Sequence, residues 1–344
     1  MNKKLRSLLQ YIIFLGLGIF LIWLTTRGLD EAQVEQLKSS LSGARYWLLV
    51  PVLLALLVSH WSRAVRWKIL MQPLGYQPRT SNTFLAVMVG YLANLAVPRL
   101  GEVLKCTLLA RYEKVPADKL IGTIVAERAF DMICLLIVFA LTIFTQVDTI
   151  GAFAQEQLNI AGAGASIGVK LLILAVVGGA AFFVGKFLLK KFSHIGIVQK
   201  INAVVKGIWQ GLTSVRFVKK KGLFFFHTFF IWFLYLMSIR VGFYAMESTE
   251  NLGIPEALSI LSFGSIAMIV TQGGIGAYQF LIQKVMVVYK LNEVEGLAFG
   301  WLLWGAQTFI ILLAGLVCLG LLPYINRSNK PAVQTDPASG DRLN

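Results

Sequence analysis

Long apolar runs recur along this chain and constrain its fold more than any other feature. Runs of about eighteen or more apolar residues lie near residues 8–25, 46–66, 118–146, 167–189, 223–246 and 296–322. A helix needs about 20 such residues to cross a hydrocarbon core that is about 30 Å thick. The runs therefore predict an all-α polytopic membrane protein with six spanning helices.

The composition agrees with this prediction and excludes several soluble classes of protein. Of 344 residues, 57% are hydrophobic and 14% are charged, which is more apolar than a water-facing surface tolerates. The net charge of +15 would indicate a nucleic-acid-binding protein if it lay on a soluble domain. On a membrane protein this charge serves orientation and lipid contact, so we expect no nucleic-acid partner.

Two further apolar stretches, residues 83–110 and 257–290, are interrupted near their middles by helix breakers. Pro98 breaks the first stretch, and a glycine cluster at residues 273–276 breaks the second. Each half has roughly ten to sixteen residues, and at about 1.5 Å per residue such a helix crosses only part of the bilayer. We therefore predict two re-entrant helical hairpins, although full crossings by all four halves would also keep both tails on one side.

The charges orient these segments, because basic residues of short loops stay on the cytoplasmic side. Both ends of the first hairpin are basic and are predicted to be cytoplasmic; the residues concerned are Arg63, Arg66, Lys68, Arg79, Arg111, Lys114 and Lys119. Residues 147–166 lack basic side chains and residues 186–222 are rich in them, whereas residues 247–256 carry only acids, so the second hairpin enters from outside. The basic ends of the chain place both termini in the cytoplasm, and we predict a multi-pass protein of the bacterial inner (plasma) membrane.

The order of segments is repeated with opposite orientation. A span, a hairpin and a span over residues 46–146 correspond to a span, a hairpin and a span over residues 223–322, with residues 167–189 between them. Residues 1–323 are predicted to form one transmembrane domain, and residues 324–344 a disordered cytoplasmic tail. Inverted repeats with broken helices are a recurring plan of transporters, although a duplicated scaffold that transports nothing would share it.

Ionisable side chains are costly within a bilayer, so those in the first half are candidates for function. Arg99, Glu102 and Lys105 follow the Pro98 break, where the amino-terminal end of a helix beside Arg99 suits a phosphate. The alternative is an Arg–Glu pair that only fixes the hairpin.

Two acids follow in the next span. Glu127 and Asp131 lie four residues apart on one helix face, and Arg128 lies on a neighbouring stripe. We expect one acid to pair with Arg99 or Lys105 and the other with Arg128. A proton relay or a cation site is the alternative.

The second half offers fewer charges. Gln272 and the glycines Gly273, Gly274 and Gly276 lie at the predicted hairpin tip, where backbone amides could line a polar cavity, although close helix packing also favours glycine. Arg240 is a candidate for a second cationic contact, with snorkelling to the membrane surface as the alternative.

Other classes of site find little support. The three histidines, His60, His194 and His227, lack metal-ligand spacing, so we expect no metal and no cofactor. The basic segment at residues 190–221 is typical of an amphipathic helix on an anionic leaflet, or of a plain topology signal. Residues 30–42 predict a short external helix.

The motifs of the two hairpins resemble those of the lysylphosphatidylglycerol synthase transmembrane family, also called flippase-like membrane proteins. The first motif runs from Asn94 through Pro98, Arg99 and Glu102, and is followed by the Glu127 segment; the second is the glycine cluster at residues 273–276. The resemblance covers about residues 8–322. It implies two re-entrant hairpins and translocation of a modified phospholipid between leaflets.

The chain departs from the family pattern at several positions. Thr271 and Gln272 stand where the family usually has proline, Gln279 stands in place of an acid, and Lys105 stands where arginine is common. Bifunctional members carry a soluble aminoacyl-transferase domain, whereas only about 20 polar residues follow Tyr324. We therefore expect no enzymatic activity in this polypeptide.

These observations favour a lipid translocator whose cavity between the hairpins holds an anionic head group. The expected substrate-binding residues are Asn94, Arg99, Glu102, Lys105, Glu127, Arg128, Asp131, Arg240, Gln272, Gly273, Gly274 and Gly276. The expected partner is a membrane lipid, a separate lipid-modifying enzyme is a second candidate, and a homo-oligomer is compatible with the plan. The alternatives are a non-transporting scaffold for such an enzyme and a transporter of small solutes or ions.

Overall fold

The computed structural model describes residues 3–97, 99–158 and 215–327, and its regular structure there is helical. The helices are α1 (Lys3–Thr26), α2 (Glu31–Ser42), α3 (Leu49–Met71), α4 (Thr80–Ala96), α5 (Leu100–Glu113), α6 (Ala117–Leu158), α7 (Lys221–Gly242), α8 (Ile254–Val270), α9 (Ala277–Val288) and α10 (Glu293–Ile325). No strand occurs among these residues, which confirms the all-α prediction.

Four helical segments are long and apolar enough to cross a membrane. They are Tyr46–Leu74, Ala117–Val147, Lys221–Ala245 and Glu293–Ile325, and they coincide with four of the six predicted spans. The protein is therefore embedded in a membrane.

The other two predicted spans have different outcomes. The first lies on α1, which has 24 residues and includes the apolar segment Leu15–Thr26. The predicted span at residues 167–189 lies outside the described residues, as do most of the basic segment at residues 190–221 and the tail from residue 328.

Each interrupted apolar stretch forms two short helices. Helices α4 and α5 have 17 and 14 residues, and α8 and α9 have 17 and 12. At about 1.5 Å per residue, these helices are roughly 18–26 Å long, less than the hydrocarbon thickness. The predicted breaks in both stretches are confirmed.

The chain reverses at each break through left-handed backbone conformations. Arg99 has a φ of 62° just before α5, and Gly273, Gly274 and Gly276 have φ values of 58°, 76° and 73° between α8 and α9. Glycine adopts this region without the steric cost that a side chain brings, which explains the glycine cluster at the second break. Arg99 adopts the same region despite its side chain.

The two halves pack in a corresponding way. Helices α3 and α7, which begin the halves, pack against each other. Helix α4 packs on α10, the last helix of the second half, and α8 packs on α6, the last helix of the first half. The short helices of each half also pack as a pair. In each half, the first short helix therefore packs against the last helix of the other half.

Large apolar side chains remain exposed on the outside of this bundle. Leu136, Phe229 and Leu316 are 62%, 59% and 58% exposed on three different spans. Such a surface is unusual in water but is required where lipid chains are the solvent. Trp47 and Tyr324, near the ends of two spans, are exposed aromatic side chains of the kind that favour the membrane interface.

The predicted short helix before the second span is confirmed as α2. The Asp30 carboxylate accepts a hydrogen bond from the backbone N–H of Gln33 at 2.7 Å, and the Gln33 side chain accepts one from the Asp30 N–H at 3.1 Å. This reciprocal cap fixes the start of α2.

Candidate functional site

Five ionisable side chains from three helices form a buried cluster, here called the ion cluster. Arg63 and Arg66 come from α3, Lys105 from α5, and Glu127 and Asp131 from α6. The side chains of Arg66 and Glu127 are fully buried, and the others are at most 14% exposed. Such burial is stable only where the charges are paired.

Glu127 is the centre of the ion cluster. Its Oε1 atom accepts from Arg63 Nη1 at 2.8 Å and lies 3.5 Å from Arg66 Nη2. Its Oε2 atom accepts from Lys105 Nζ at 3.0 Å. One carboxylate therefore contacts three cations, and the predicted pairing of an acid with Lys105 is confirmed.

Asp131 binds the same two arginines from one helical turn further along α6. Its Oδ2 atom accepts from Arg63 at 2.5 Å, and its Oδ1 atom accepts from Arg66 at 2.7 Å. Arg128, the predicted partner of the second acid, is 3.9 Å from Asp131 and instead donates to Glu102 at 3.0 Å. The predicted pairing of Asp131 with Arg128 is thus replaced by closer contacts with α3.

The charges of this region do not cancel. Four cations, Arg63, Arg66, Lys105 and Arg128, face three carboxylates, Glu102, Glu127 and Asp131, which leaves a net charge of +1. The Arg128 side chain is 46% exposed and Glu102 is 26% exposed, which places this pair at the accessible edge of the ion cluster. The Nε atoms of the two α3 arginines have no hydrogen-bond partner among the described residues.

Neutral side chains hold the cations in place. The Lys105 ammonium lies 4.5 Å from the centre of the Trp67 ring, whose Nε1 donates to Thr123 at 2.8 Å. Arg63 Nη2 lies 3.4 Å from the Tyr235 hydroxyl, and Arg66 Nη1 lies 3.5 Å from the Thr228 hydroxyl. Helix α7 therefore contributes polar partners to charges on α3.

A narrow polar recess adjoins the accessible edge. It is lined by Asn94 and Gly101 together with Glu102, Lys105 and Arg128, and its volume of about 10 Å³ is about that of one water. The Asn94 side chain accepts a hydrogen bond from the Gly101 N–H at 2.7 Å. A β-carbon at Gly101 would overlap the Gly90 carbonyl, so glycine permits the close approach of α4 and α5.

The two helix breaks meet each other. The Gln272 side-chain amide donates to the Asn94 carbonyl, and Gly273 lies beside Leu95. Trp304 Nε1 donates to the Gly273 carbonyl at 2.8 Å, which ties the second break to α10. The predicted site residues Asn94 and Gln272 are therefore in direct contact.

Two predicted phosphate contacts lie outside the ion cluster. Arg99 is exposed at the start of α5, and no ion pair joins it to another described residue. Arg240 donates to the Tyr244 hydroxyl at 2.7 Å and stacks 4.4 Å from that ring, one turn along the chain. Of the predicted phosphate contacts, only Lys105 belongs to the ion cluster.

Arg63 and Arg66 are the residues that sequence reasoning missed. The sequence analysis counts them among the basic residues at the cytoplasmic side of the first hairpin, but α3 continues to Met71 and buries both side chains. Their spacing of three residues, which places them on one helix face, was the available signal. The sequence also places two acids, Glu127 and Asp131, beside a single cation, Arg128. This imbalance indicates that a cation from another helix pairs with one of them.

No cluster of three or more metal-ligating side chains occurs among the described residues. His60 and His227 are both buried, and they lie on two different helices, α3 and α7. His194 lies outside the described ranges. The three cysteines, Cys106, Cys134 and Cys318, are buried and free.

Comparison with known proteins agrees with the resemblance of the motifs. A UPF0104 membrane protein of Methanocaldococcus jannaschii is 32% identical over 71 residues, which is 20% of this chain and 21% of that relative. No solved structure matches the chain significantly. The family model of the lysylphosphatidylglycerol synthase transmembrane region matches residues 8–315, most of the chain. The protein therefore belongs to the lysylphosphatidylglycerol synthase transmembrane family.

Proposed function

We propose that the protein is a lipid translocator of the bacterial inner membrane that moves a lipid with an anionic head group between leaflets. The observation that carries this proposal is the ion cluster with its edge pair, buried within a membrane domain and bearing one excess positive charge. Family membership supports a role connected with membrane lipids.

The excess charge favours an anionic ligand. An uncompensated charge away from water is costly, so a phosphate that reaches the cluster replaces lost hydration with charge-assisted hydrogen bonds. Arg128 is the contact available to it, because this side chain is 46% exposed and lines the recess beside Lys105. Acyl chains stay in the bilayer during this contact, since the outer surface of the bundle is apolar.

The helix pairs α4–α5 and α8–α9 act as re-entrant hairpins that enter from opposite faces. Three observations support this arrangement: each helix is too short to span, the flanking loops differ in charge, and the two breaks touch through Asn94 and Gln272. A site between such hairpins can be opened to either face by related movements of the two halves.

Orientation follows from the same arrangement. Both termini are cytoplasmic, and the ends of the first hairpin face the cytoplasm. The polypeptide translocates lipid without modifying it, and a separate lipid-modifying enzyme supplies or consumes the substrate.

Exchange of labelled phospholipids between leaflets of proteoliposomes tests this function. Wild-type protein is expected to accelerate exchange of anionic lipids, and Arg128→Gln is expected to slow it at least tenfold because a charge-assisted contact with the phosphate is lost, at about 1.5–3 kcal/mol. Lys284→Gln is the matched control: its side chain is 49% exposed and paired with Glu293 at 2.7 Å, much as Arg128 is paired with Glu102.

Two results would contradict the proposal. One is a wild-type protein that accelerates exchange of no lipid. The other is equal slowing by Arg128→Gln and Lys284→Gln. Absence of exchange together with capture of a cytoplasmic lipid-modifying enzyme would favour the scaffold instead.

A further inference from the structure

A second cavity lies among the helices of the second half and α3. Its volume is about 160 Å³. Five of its lining side chains are polar and uncharged: Tyr235, Ser238, Ser265, Tyr278 and Gln307. The remaining lining residues are apolar or glycine, and none of the described residues that line it is acidic or basic.

The polar groups of this cavity can both donate and accept hydrogen bonds. Ser238 donates to the Tyr235 carbonyl at 2.8 Å and Ser265 to the Leu261 carbonyl at 2.6 Å, so both hydroxyl oxygens keep lone pairs for a ligand. Tyr278 and Gln307 have no hydrogen-bond partner among the described residues and offer O–H and amide N–H donors. This mixture matches hydroxyl groups, which also donate and accept.

The cavity adjoins the ion cluster. Tyr235 lines the cavity, and its hydroxyl lies 3.4 Å from Arg63 Nη2. Tyr235 therefore lies between the ion cluster and the cavity, so the two sites are neighbours.

The size of the cavity limits the group that it holds. A protein cavity of about 150 Å³ accommodates benzene, and glycerol has as many non-hydrogen atoms as benzene. A glycerol unit, or a hydroxyl-rich part of a sugar, is of the right size.

We propose that this cavity binds the uncharged, hydroxyl-bearing part of the lipid head group, so that the substrate is a phosphodiester lipid with a polyol head group. This inference rests on the proposed function and names its substrate class. An ammonium group fits the cavity poorly, because it only donates hydrogen bonds and the described lining offers no carboxylate to balance its charge.

Binding of short-chain lipids to the purified protein in detergent tests the inference. The probes are dihexanoyl phosphatidylglycerol, dihexanoyl phosphatidylethanol, which has the same phosphodiester charge but no hydroxyls, and the lysyl ester of phosphatidylglycerol. A site that hydrogen-bonds a hydroxyl discriminates strongly against the analogue that lacks it. We expect the wild-type protein to bind phosphatidylglycerol at least tenfold more tightly than either of the other lipids.

The variant Tyr278→Phe/Gln307→Met removes two polar groups while keeping their volumes. It is expected to abolish the preference for phosphatidylglycerol and to leave the affinity for phosphatidylethanol within twofold of wild type. The matched control is Tyr289→Phe, because the Tyr289 hydroxyl lies 2.6 Å from Ser259 Oγ and outside the cavity. This control is expected to keep the preference.

The outcomes separate the two proposals. Equal binding of phosphatidylglycerol and phosphatidylethanol by wild type overturns the cavity assignment even if both lipids are exchanged between leaflets. A clear preference without exchange in proteoliposomes supports the cavity and contradicts the translocator. Free glycerol phosphate that binds as tightly as phosphatidylglycerol overturns the lipid assignment, because the ligand is then a soluble polyol phosphate.

Discussion

Glu127 holds together charges that would otherwise repel one another. It contacts Arg63, Arg66 and Lys105 within 3.5 Å and has no exposed surface. Hydrophobic side chains of similar volume could be as stable as such a cluster, but removal of one partner from a buried group of ions is strongly destabilising. The cluster therefore makes Glu127 sensitive to substitution.

We predict that Glu127→Gln lowers the stability of the folded protein by about 3–5 kcal/mol, because buried cations lose their common counter-charge. Thermal unfolding in detergent measures the effect. Glu293→Gln is the control, since that side chain is 56% exposed in its pair with Lys284 and should cost at most about 1 kcal/mol.

A second variant distinguishes charge from shape. Glu127→Gln combined with Lys105→Met removes one anion and one cation. The double variant is expected to unfold at a higher temperature than Glu127→Gln alone, and at a lower temperature than the wild-type protein. Equal shifts for Glu127→Gln and Glu293→Gln would contradict the role of the ion cluster.

The sequence predicted some of these residues and missed others for a physical reason. Lys105 and Glu127 were predicted because a charged side chain within an apolar segment is costly whichever direction it faces, so each one indicates a partner or a function. Arg63 and Arg66 lie near the end of an apolar run, where a basic residue can equally mark a cytoplasmic loop or face a buried acid. Only packing against α6 distinguishes these cases, and packing is not visible in one sequence.

At the scale of elements, hydropathy predicted where the helices lie and where they break. The first break was expected at Pro98 and the second at the glycines, and α5 and α9 begin just after them, at Leu100 and Ala277. The direct contact between the two breaks was not predictable, because it depends on a hydrogen bond between Gln272 and a backbone carbonyl. The hydropathy and composition of a sequence do not indicate which backbone carbonyl a side chain will contact.

The re-entrant arrangement predicts that both ends of a hairpin are reached from the same side of the membrane. In a protein without its buried cysteines, Gln77→Cys and Lys114→Cys flank α4–α5 and should react with an impermeant thiol reagent from one side only. Asn251→Cys and Lys290→Cys flank α8–α9 and should react only from the other. All four native side chains are exposed.

Labelling of the two ends of one hairpin from opposite sides would show that its helices cross the bilayer. Glu35→Cys serves as the reference for the face that the charge pattern predicts to be external, and Glu35 is 76% exposed on α2. It should label together with Asn251→Cys.

At the scale of the whole molecule, the two halves are joined by equivalent contacts and by the meeting of their breaks. The α4–α10 and α6–α8 contacts correspond to each other, and Asn94 and Gln272 join the two breaks directly. Movement of one half relative to the other must therefore change the contact between the breaks.

We predict that covalent linkage of the breaks stops lipid exchange. Leu95→Cys and Gln272→Cys lie on opposite sides of this contact, and a short cleavable bis-thiol reagent should link them in proteoliposomes. Exchange should fall at least tenfold and recover when the link is reduced, which the labelled-lipid assay measures. Leu95→Cys with Tyr324→Cys, at the far end of α10, is the unlinked control, and full exchange by the linked protein would contradict this movement.

The separation of the ion cluster along the chain has a consequence for biosynthesis. Arg63 precedes its partner Glu127 by 64 residues, so the nascent α3 reaches the translocon before its counter-charges on α6 have been made. An arginine within an inserting helix costs up to about 2.5–3.5 kcal/mol, the value at the helix centre. Helix α3 is thus a weak integration signal on its own, and stable integration of the first half waits for α6 to emerge from the ribosome.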